Sequence, residues 1–285
     1  MSKASVPITG ETVCADFNHV RAVLHYTKAA HSLGLWRSEQ VVIERFLTDK
    51  SARLLEAGCG AGRVALGLAQ LGYAEIVGFD FATELVEQAE SLARERAVTN
   101  VHFAHADATT LAAQGKLNGN MPQKCTRAAP STCNLIGDKR TEWVRAESFD
   151  GALFMFNGLM QIPGRENRRS ALRGLHALAR KGAPLIFTTH DRNDEAAERR
   201  HWKRQAEIWA AGKQDPALVE FGDRYFIDDD DYRVFMHLPD RAEIVEDLAA
   251  TGWTLEFDEM RRRLAVELKP VRDFSDECRF WVARK

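Results

Sequence analysis

From about residue 51 the chain alternates short apolar runs with segments of helical spacing. RLLEAG, AEIVGFD, NVHFAHAD, FDGALFMF and APLIFTTH are the strand candidates, several apolar on both faces as strands inside a parallel sheet are. After Gly62, Val64, Leu68 and Leu71 fall at i, i+4 and i+7; after Asp80, Leu85, Ala89 and Leu92 repeat that spacing. Each set predicts one amphipathic crossover helix. Residues 165–181 put Leu172, Leu175 and Ala179 on one face and predict a helix ended by a left-handed Gly182, with Pro184 opening the next strand. Asp240-Arg-Ala-Glu243 reads as a capping box with Asp in place of Ser or Thr, opening a helix with Ile244 and Leu248 inward and Gly252 at its end. Strand and helix repeated in this way predict an α/β fold with a doubly wound, mostly parallel sheet.

Three segments break that rhythm. Residues 1–50 contain HVRAVLHYTKAAHSLGLW and SEQVVIERFL, which predict an N-terminal helical extension over the sheet. Residues 112–147 are polar and rich in Gly, Pro and Asn, far longer than the roughly 2 to 6 residues usual between α/β elements, and read as an inserted loop. Residues 192–238, rich in charge and tryptophan, form a candidate lid. The expected division is therefore an extension over 1–50 and a main domain over 51–285 carrying both insertions.

Composition narrows the class. With 285 residues, 45% apolar and 28% charged, the chain can bury a substantial core. The N-terminus lacks the apolar centre of a signal peptide, and no apolar run approaches the roughly 18 residues a membrane span needs. Five cysteines without a CxxC pair suggest neither a disulfide framework nor a metal knuckle. A cytoplasmic location is expected, with no membrane partner. A net charge of −2 gives no global field for nucleic acid, which is not expected as a partner.

Candidate chemistry starts at Glu56-Ala-Gly-Cys-Gly-Ala-Gly-Arg63. A glycine-rich turn between a strand and a helix lets backbone N–H groups approach a ligand that a Cβ would hold away. A dinucleotide fingerprint would need glycine at position 63, where Arg63 stands, and no P-loop pattern is present. The glycines fall instead at 58, 60 and 62, with Glu56 ahead of them. The second strand ends in Asp80, 22 residues after Gly58, placed to accept from ribose hydroxyls; the third ends in His105-Ala-Asp107-Ala108. Acids at successive strand ends suit a ligand with an adenosine at one end and a cationic amine at the other, whereas Glu56 would repel a pyrophosphate.

As a set, LLEAGCGAGR, IVGFDF, HADA and SFDGALFMFNGLMQIP resemble the motifs of the class I S-adenosylmethionine (SAM) methyltransferases, and ALARKGAPLIFTTH resembles their following helix and fifth strand. The resemblance covers about residues 51–191 and, more loosely, the last helix and two strands. It implies a Rossmann-like seven-stranded sheet with the last strand antiparallel, and SAM over the strand C-termini, released as S-adenosylhomocysteine. Carried across, Gly58, Cys59, Gly60 and Gly62 shape the methionine pocket, Glu56 positions that loop or the amino group, and Asp80 with Phe81 holds the ribose side. Asp107 and Ala108 border adenine, and Phe156 and Asn157 sit beside the transferring methyl.

Methyl transfer from a sulfonium is an in-line displacement, so alignment and exclusion of water dominate and a base matters only for a proton-bearing acceptor. His190-Asp191, at the end of the fifth strand, is the candidate base or orienting pair; a strand-end histidine followed by a helix-capping aspartate is the alternative. Tyr26 and Trp36, with His25, are the substrate-contact candidates in the extension, and simple packing is their alternative. Cys125 and Cys133 in the insertion are thiols of the kind that bind a soft metal or metalloid, with an incidental pair as the favoured reading, and Asp228 to Asp231 read as a solvated turn lacking an EF-hand's downstream residues. No resident metal is expected. The acceptor is expected to be a small molecule. The alternatives are an RNA methyltransferase using the basic helix 199–204, with Trp202 stacking a base, and a SAM-binding regulatory subunit without chemistry of its own. The oligomeric state is open.

Overall fold

The structure, a computed structural model, describes residues 6–111, 146–227 and 233–285. The strands are β1 (Arg53–Ala57), β2 (Glu75–Asp80), β3 (Val101–His105), β4 (Gly151–Phe154), β5 (Pro184–Thr189), β6 (Asp223–Ile227), β7 (Arg233–His237), β8 (Thr254–Met260) and β9 (Arg279–Arg284). Seven of them form one sheet in the order β3-β2-β1-β4-β5-β9-β8, and β6 and β7 form a separate antiparallel pair. The first five run parallel; β9 runs antiparallel to both β5 and β8. The fold class expected from the alternation is the one found.

Alternation along each strand divides the core in two. Leu54 and Leu55 are neighbours in β1 and both fully buried, yet they belong to different hydrophobic clusters, because successive side chains leave opposite faces of a sheet. Leu54 packs with Val64 and Leu68 of α4 (Arg63–Gln70) and Leu85, Ala89 and Leu92 of α5 (Thr83–Glu95). The helices of the first 50 residues, α1 (Gly10–Phe17), α2 (Val20–Ser32) and α3 (Arg37–Phe46), add Val13, Ala30, Val42 and Ile43 to this cluster. Leu55 packs with Leu172 and Leu175 of α6 (Arg165–Leu178) and Ile244 and Leu248 of α8 (Arg241–Ala250).

One predicted boundary shifts, and one predicted cap forms only in part. The helix expected over 165–181 stops at Leu178, because Ala179 turns extended and bridges Phe149 alongside it. Gly182 instead adopts φ +81° in the following turn, where its N–H donates to the Lys285 carbonyl at 2.9 Å. At α8, the Asp240 carboxylate accepts from the Glu243 N–H at 2.9 Å, which is half of a capping box. The other half does not form because the Glu243 carboxylate is engaged by His237 at 2.7 Å and Arg192 at 3.0 Å.

Those contacts belong to a buried charge cluster that ties β6 and β7 to the main domain. His237 lies between Asp223, at 2.9 Å, and Glu243, while Arg168, fully buried in α6, meets Glu220 at 2.7 Å. Glu220, Asp223 and His237 bring ligand-type atoms within 4.8 Å of one another. Arg168 faces Glu220, and Asp223 and Glu243 hold both nitrogens of His237, whereas Arg168 Nε and Glu220 Oε1 have no hydrogen-bond partner among the described residues. The remaining helices are α7 (Ala196–Ala210), α9 (Arg261–Leu264) and α10 (Lys269–Phe274). Among the described residues no helix is long and apolar enough to cross a membrane. The segment 112–147 lies almost wholly outside the described residues, as do Cys125, Cys133 and Asp228 to Asp231.

Candidate functional site

The C-terminal ends of β1 to β4 open into a cleft of about 1180 Å³, its mouth included. Its floor is the glycine turn, and the three glycines there have different reasons to be glycine. A Cβ on Gly58 would come within 2.6 Å of the Phe154 ring, and one on Gly62 would come within 2.9 Å of Phe103 and 3.1 Å of Ala89. Gly60, at φ +51°, has nothing within 4 Å of that position and lines the cleft. Gly58 and Gly62 are thus required by packing as well as by positive φ, whereas Gly60 leaves room for something outside the protein. Gly62, as the N-cap of α4, does not line the cleft.

Cys59 lines the cleft but is 5% exposed and sits in the core cluster, where burial pushes its thiol well above the usual range. It fills space and is not poised as a nucleophile.

Glu56 and Asp80 give the cleft its charge character. Glu56 is 2% exposed; burial pushes its carboxyl well up, against the pull of Arg63, and its Oε2 has no hydrogen-bond partner among the described residues. A buried acceptor of this kind wants a donor, and a cationic one would restore its charge. Asp80 accepts from the Gly60 N–H at 2.8 Å and the Ala82 N–H at 2.9 Å, locking the glycine turn to the end of β2. Burial raises its pKa against these two bonds. Each oxygen retains a further acceptor site. Asp107 caps the 3-10 turn Ala108–Thr110 through Thr109 and, with Ala108 and Phe81, lines the cleft.

The N-terminal helices supply the facing wall. Phe17 of α1 stacks on Tyr26 of α2 at 5.5 Å and tilts against Phe81 at the same distance. Tyr26 lies edge-on to Phe156 at 6.0 Å, accepts from Gln161 Nε2 at 3.4 Å, and burial pushes its hydroxyl up to about 12, so it stays protonated. Phe156 and Asn157 are both left-handed, at φ 53° and 59°, in the turn after β4. Non-glycine residues adopt that conformation at a cost of about 1–2 kcal/mol each.

That turn carries the chain into a second cavity. Tyr26, Phe156, Gln161 and Phe274 line both spaces, so the two share one wall. Asn157, which the cleft does not include, lines the second cavity together with His190. The predicted pair at 190–191 is split. His190 donates from Nδ1 to the Glu277 carbonyl at 2.9 Å and meets Asn157 Nδ2 through Nε2 at 3.2 Å. Asp191 lines neither cavity: its Oδ2 holds Arg279 at 3.0 Å and its Oδ1 accepts from the Asn193 N–H. Both of its oxygens thus have protein partners away from the two cavities.

Trp36 also lines neither cavity. It is 2% exposed, with the Arg63 guanidinium 4.5 Å over its ring and Phe156 edge-on at 5.4 Å, so it supports the wall from behind. Arg63 in turn forms two 2.6 Å contacts with Glu39. In the basic helix α7, Trp202 is 4% exposed, donates to Glu198 and packs edge-on to Phe221, so its ring is not available to stack a base. Phe274 and Gln161 are wall residues that sequence reasoning missed. Gln161 lies within the stretch SFDGALFMFNGLMQIP without a feature of its own to mark it, and nothing local marks Phe274, because α10 reaches the cleft only through the tertiary fold.

A family model described as a methyltransferase domain matches residues 48–235. No curated protein matches the chain. Among solved structures, a SAM-dependent methyltransferase from Methanosarcina mazei is 18% identical with a TM-score of 0.58, over 86% of this chain and 96% of that one. The (4+2)-cyclase SpnF is 18% identical with a TM-score of 0.61, over 99% of each chain. Magnesium protoporphyrin IX methyltransferase from Synechocystis PCC 6803, solved with bound SAH, is 16% identical with a TM-score of 0.50, over 92% and 84%. At these identities the likeness is one of fold.

Proposed function

The chain belongs to the methyltransferase-domain family and is a SAM-dependent methyltransferase; on that premise we propose that its acceptor is a small molecule held in the second cavity, against the wall it shares with the cleft. That shared wall of Tyr26, Phe156, Gln161 and Phe274 is the observation that carries the reading. In-line transfer needs the donor methyl and the acceptor in direct contact, so the residues that border both spaces mark where the two ligands would meet, with the surrounding rings excluding water.

The cleft's residues suit the donor. The unpartnered Glu56 oxygen receives an ammonium, the spare acceptor sites of Asp80 receive ribose hydroxyls, and Gly60 lets the backbone lie close to the ligand. Phe81, Asp107 and Ala108 border the adenine, and Phe156 sits beside the reacting carbon. SAM, when bound, supplies a methyl group on a positively charged sulfur. Helices α1 and α2 cover the donor, and Val234 and Met236 of β7 help enclose the acceptor, which gives the segments 1–50 and 192–238 a recognition role. The buried Trp202 weighs against the RNA reading. Because a cyclase shares this fold, fold alone does not fix the reaction, and the product must be measured.

Titration calorimetry with SAM, S-adenosylhomocysteine and NAD, followed by labelled-methyl transfer into metabolite and tRNA fractions, tests the proposal. Micromolar binding of the first two and label in a small molecule are expected. Label confined to tRNA, with steep salt dependence, overturns it; SAM binding without transfer to any fraction favours a regulatory subunit.

A further inference from the structure

The second cavity, about 1280 Å³ with its mouth included, lies between two walls built by distant parts of the chain. On one side, Arg21, Leu24 and His25 of α2 fall at i, i+3 and i+4, the spacing that puts side chains on one helix face. On the other, Val234 and Met236 of β7 alternate with Phe235, which leaves the opposite face of the strand and joins the core. An ion pair between Arg233 and Asp16 of α1, at 2.9 Å, holds β7 beside the N-terminal helices, so the gap is a standing feature of the fold.

Polar side chains along this gap are already engaged with one another or with backbone. Gln161 donates to Tyr26, Asn157 Nδ2 meets His190 Nε2, His190 Nδ1 donates to the Glu277 carbonyl, and the Ser275 hydroxyl donates to the Asp276 carbonyl at 3.1 Å. Asn157 Oδ1 is buried away from the surface. Arg21 and Asp276 are exposed and of opposite sign, which leaves no net charge between them. His25 lies on Phe274 at 4.5 Å and Phe274 on Phe156 at 5.5 Å, so rings line the end that borders the donor cleft. The rest of the gap offers a ligand mainly apolar surface. Leu24 is the clearest case, an aliphatic side chain 64% exposed beside a cavity, and Val20, one turn earlier and 62% exposed, extends the same stripe.

Resting on the reading of this cavity as the acceptor site, we propose that the acceptor carries an apolar arm, which leaves the ring-lined end beside the donor cleft and lies between α2 and β7 on Leu24, Val234 and Met236. Phe156 is half-buried and borders both spaces, whereas Leu24 borders the second cavity alone and is largely exposed, so the two mark the inner and outer ends of one path. An arm lying there removes its own apolar surface and that of the stripe from water, and each methylene fully buried in this way tightens binding about fourfold.

Calorimetry of the full chain saturated with S-adenosylhomocysteine tests this with para-ethylphenol, para-butylphenol and para-hexylphenol. Each added methylene is expected to tighten binding about two- to fourfold. Leu24→Glu, at a side chain whose exposure spares the fold, and Val234→Thr, which keeps the β-branched shape, should each flatten that dependence on length. Val266→Glu, 74% exposed and lining neither cavity, should leave it unchanged. Phenols that bind equally whatever their length overturn the apolar arm and leave the acceptor site standing. A dependence on length that Leu24→Glu and Val234→Thr do not alter, or that Val266→Glu alters as much, also overturns it, as does no binding of any phenol. So does a dimer of the unaltered protein in sedimentation that Leu24→Glu dissolves, because a second copy would then cover the stripe. Failure of S-adenosylhomocysteine to bind, read in the same titration, would instead strike the methyltransferase reading beneath it.

Discussion

The Glu39 carboxylate and the Arg63 guanidinium meet in two 2.6 Å contacts, joining α3 to the first turn of the helix that follows the glycine turn. Both side chains are buried, at 1% and 9% exposure, and Glu39 also accepts from the Trp36 N–H at 2.8 Å. Removing one partner strands the other charge. Glu39→Ala should cost about 3–5 kcal/mol in denaturant unfolding. Replacing both partners with apolar residues, Glu39→Leu with Arg63→Met, should cost clearly less than the sum of the single changes.

Gly60 and Gly62 should respond to alanine in opposite ways. At Gly60 the added methyl enters open space in the cleft, so Tm should fall only by the strain of positive φ, about 1–2 kcal/mol, while SAM affinity drops more than about tenfold. At Gly62 the methyl collides with Phe103 and Ala89, so folding is lost first. Paired melting curves and SAM titrations separate the two; equal effects would refute the different roles.

Asp80→Ala should do more than weaken SAM. Because the carboxylate also accepts from Gly60 and Ala82, its loss frees two backbone donors and loosens the turn. We expect at least about tenfold weaker SAM binding together with about 1–3 kcal/mol of lost stability. Unchanged SAM affinity would remove the ribose assignment.

The charge cluster predicts a pH dependence. Burial alone would lower the His237 pKa, but the bonds to Asp223 and Glu243 outweigh it and hold it above 6.5. A histidine whose folded pKa is raised stabilises fully below its unfolded value and loses that contribution as pH rises through the folded one. Stability should therefore decline on the alkaline side of pH 6.5, and His237→Phe should flatten that limb of a Tm profile. Glu243, held down to about 2 by His237 and Arg192 despite burial, works at the other end: its contribution is present above pH 4.5 and is lost as pH falls toward 2.

Much of the cleft was legible because it lies where strands end. Periodicity located β1 to β5; Glu56 and Asp80 lie at the ends of β1 and β2, and Gly60 and Asp107 come just after β1 and β3, so reading the strands also read the cleft. Tyr26 was legible only as an aromatic on a helix. Phe274 and the Asn157–His190 contact were not, since each depends on which distant segments the sheet brings together, over separations such as 33 residues. The same holds for Asp191, whose partner Arg279 is 88 residues away. Local rules likewise placed a cap at Gly182, where a bridge between Ala179 and Phe149 ends the helix earlier.

The consecutive left-handed residues after β4 bear on any attempt to make this protein hardier. Glycine at position 157 would relax a backbone that asparagine holds at φ 59°, making it an obvious choice for a library screened by heat resistance. The same exchange would delete the carboxamide. Such a screen, blind to turnover, would enrich sturdier molecules that had lost the contact between position 157 and His190.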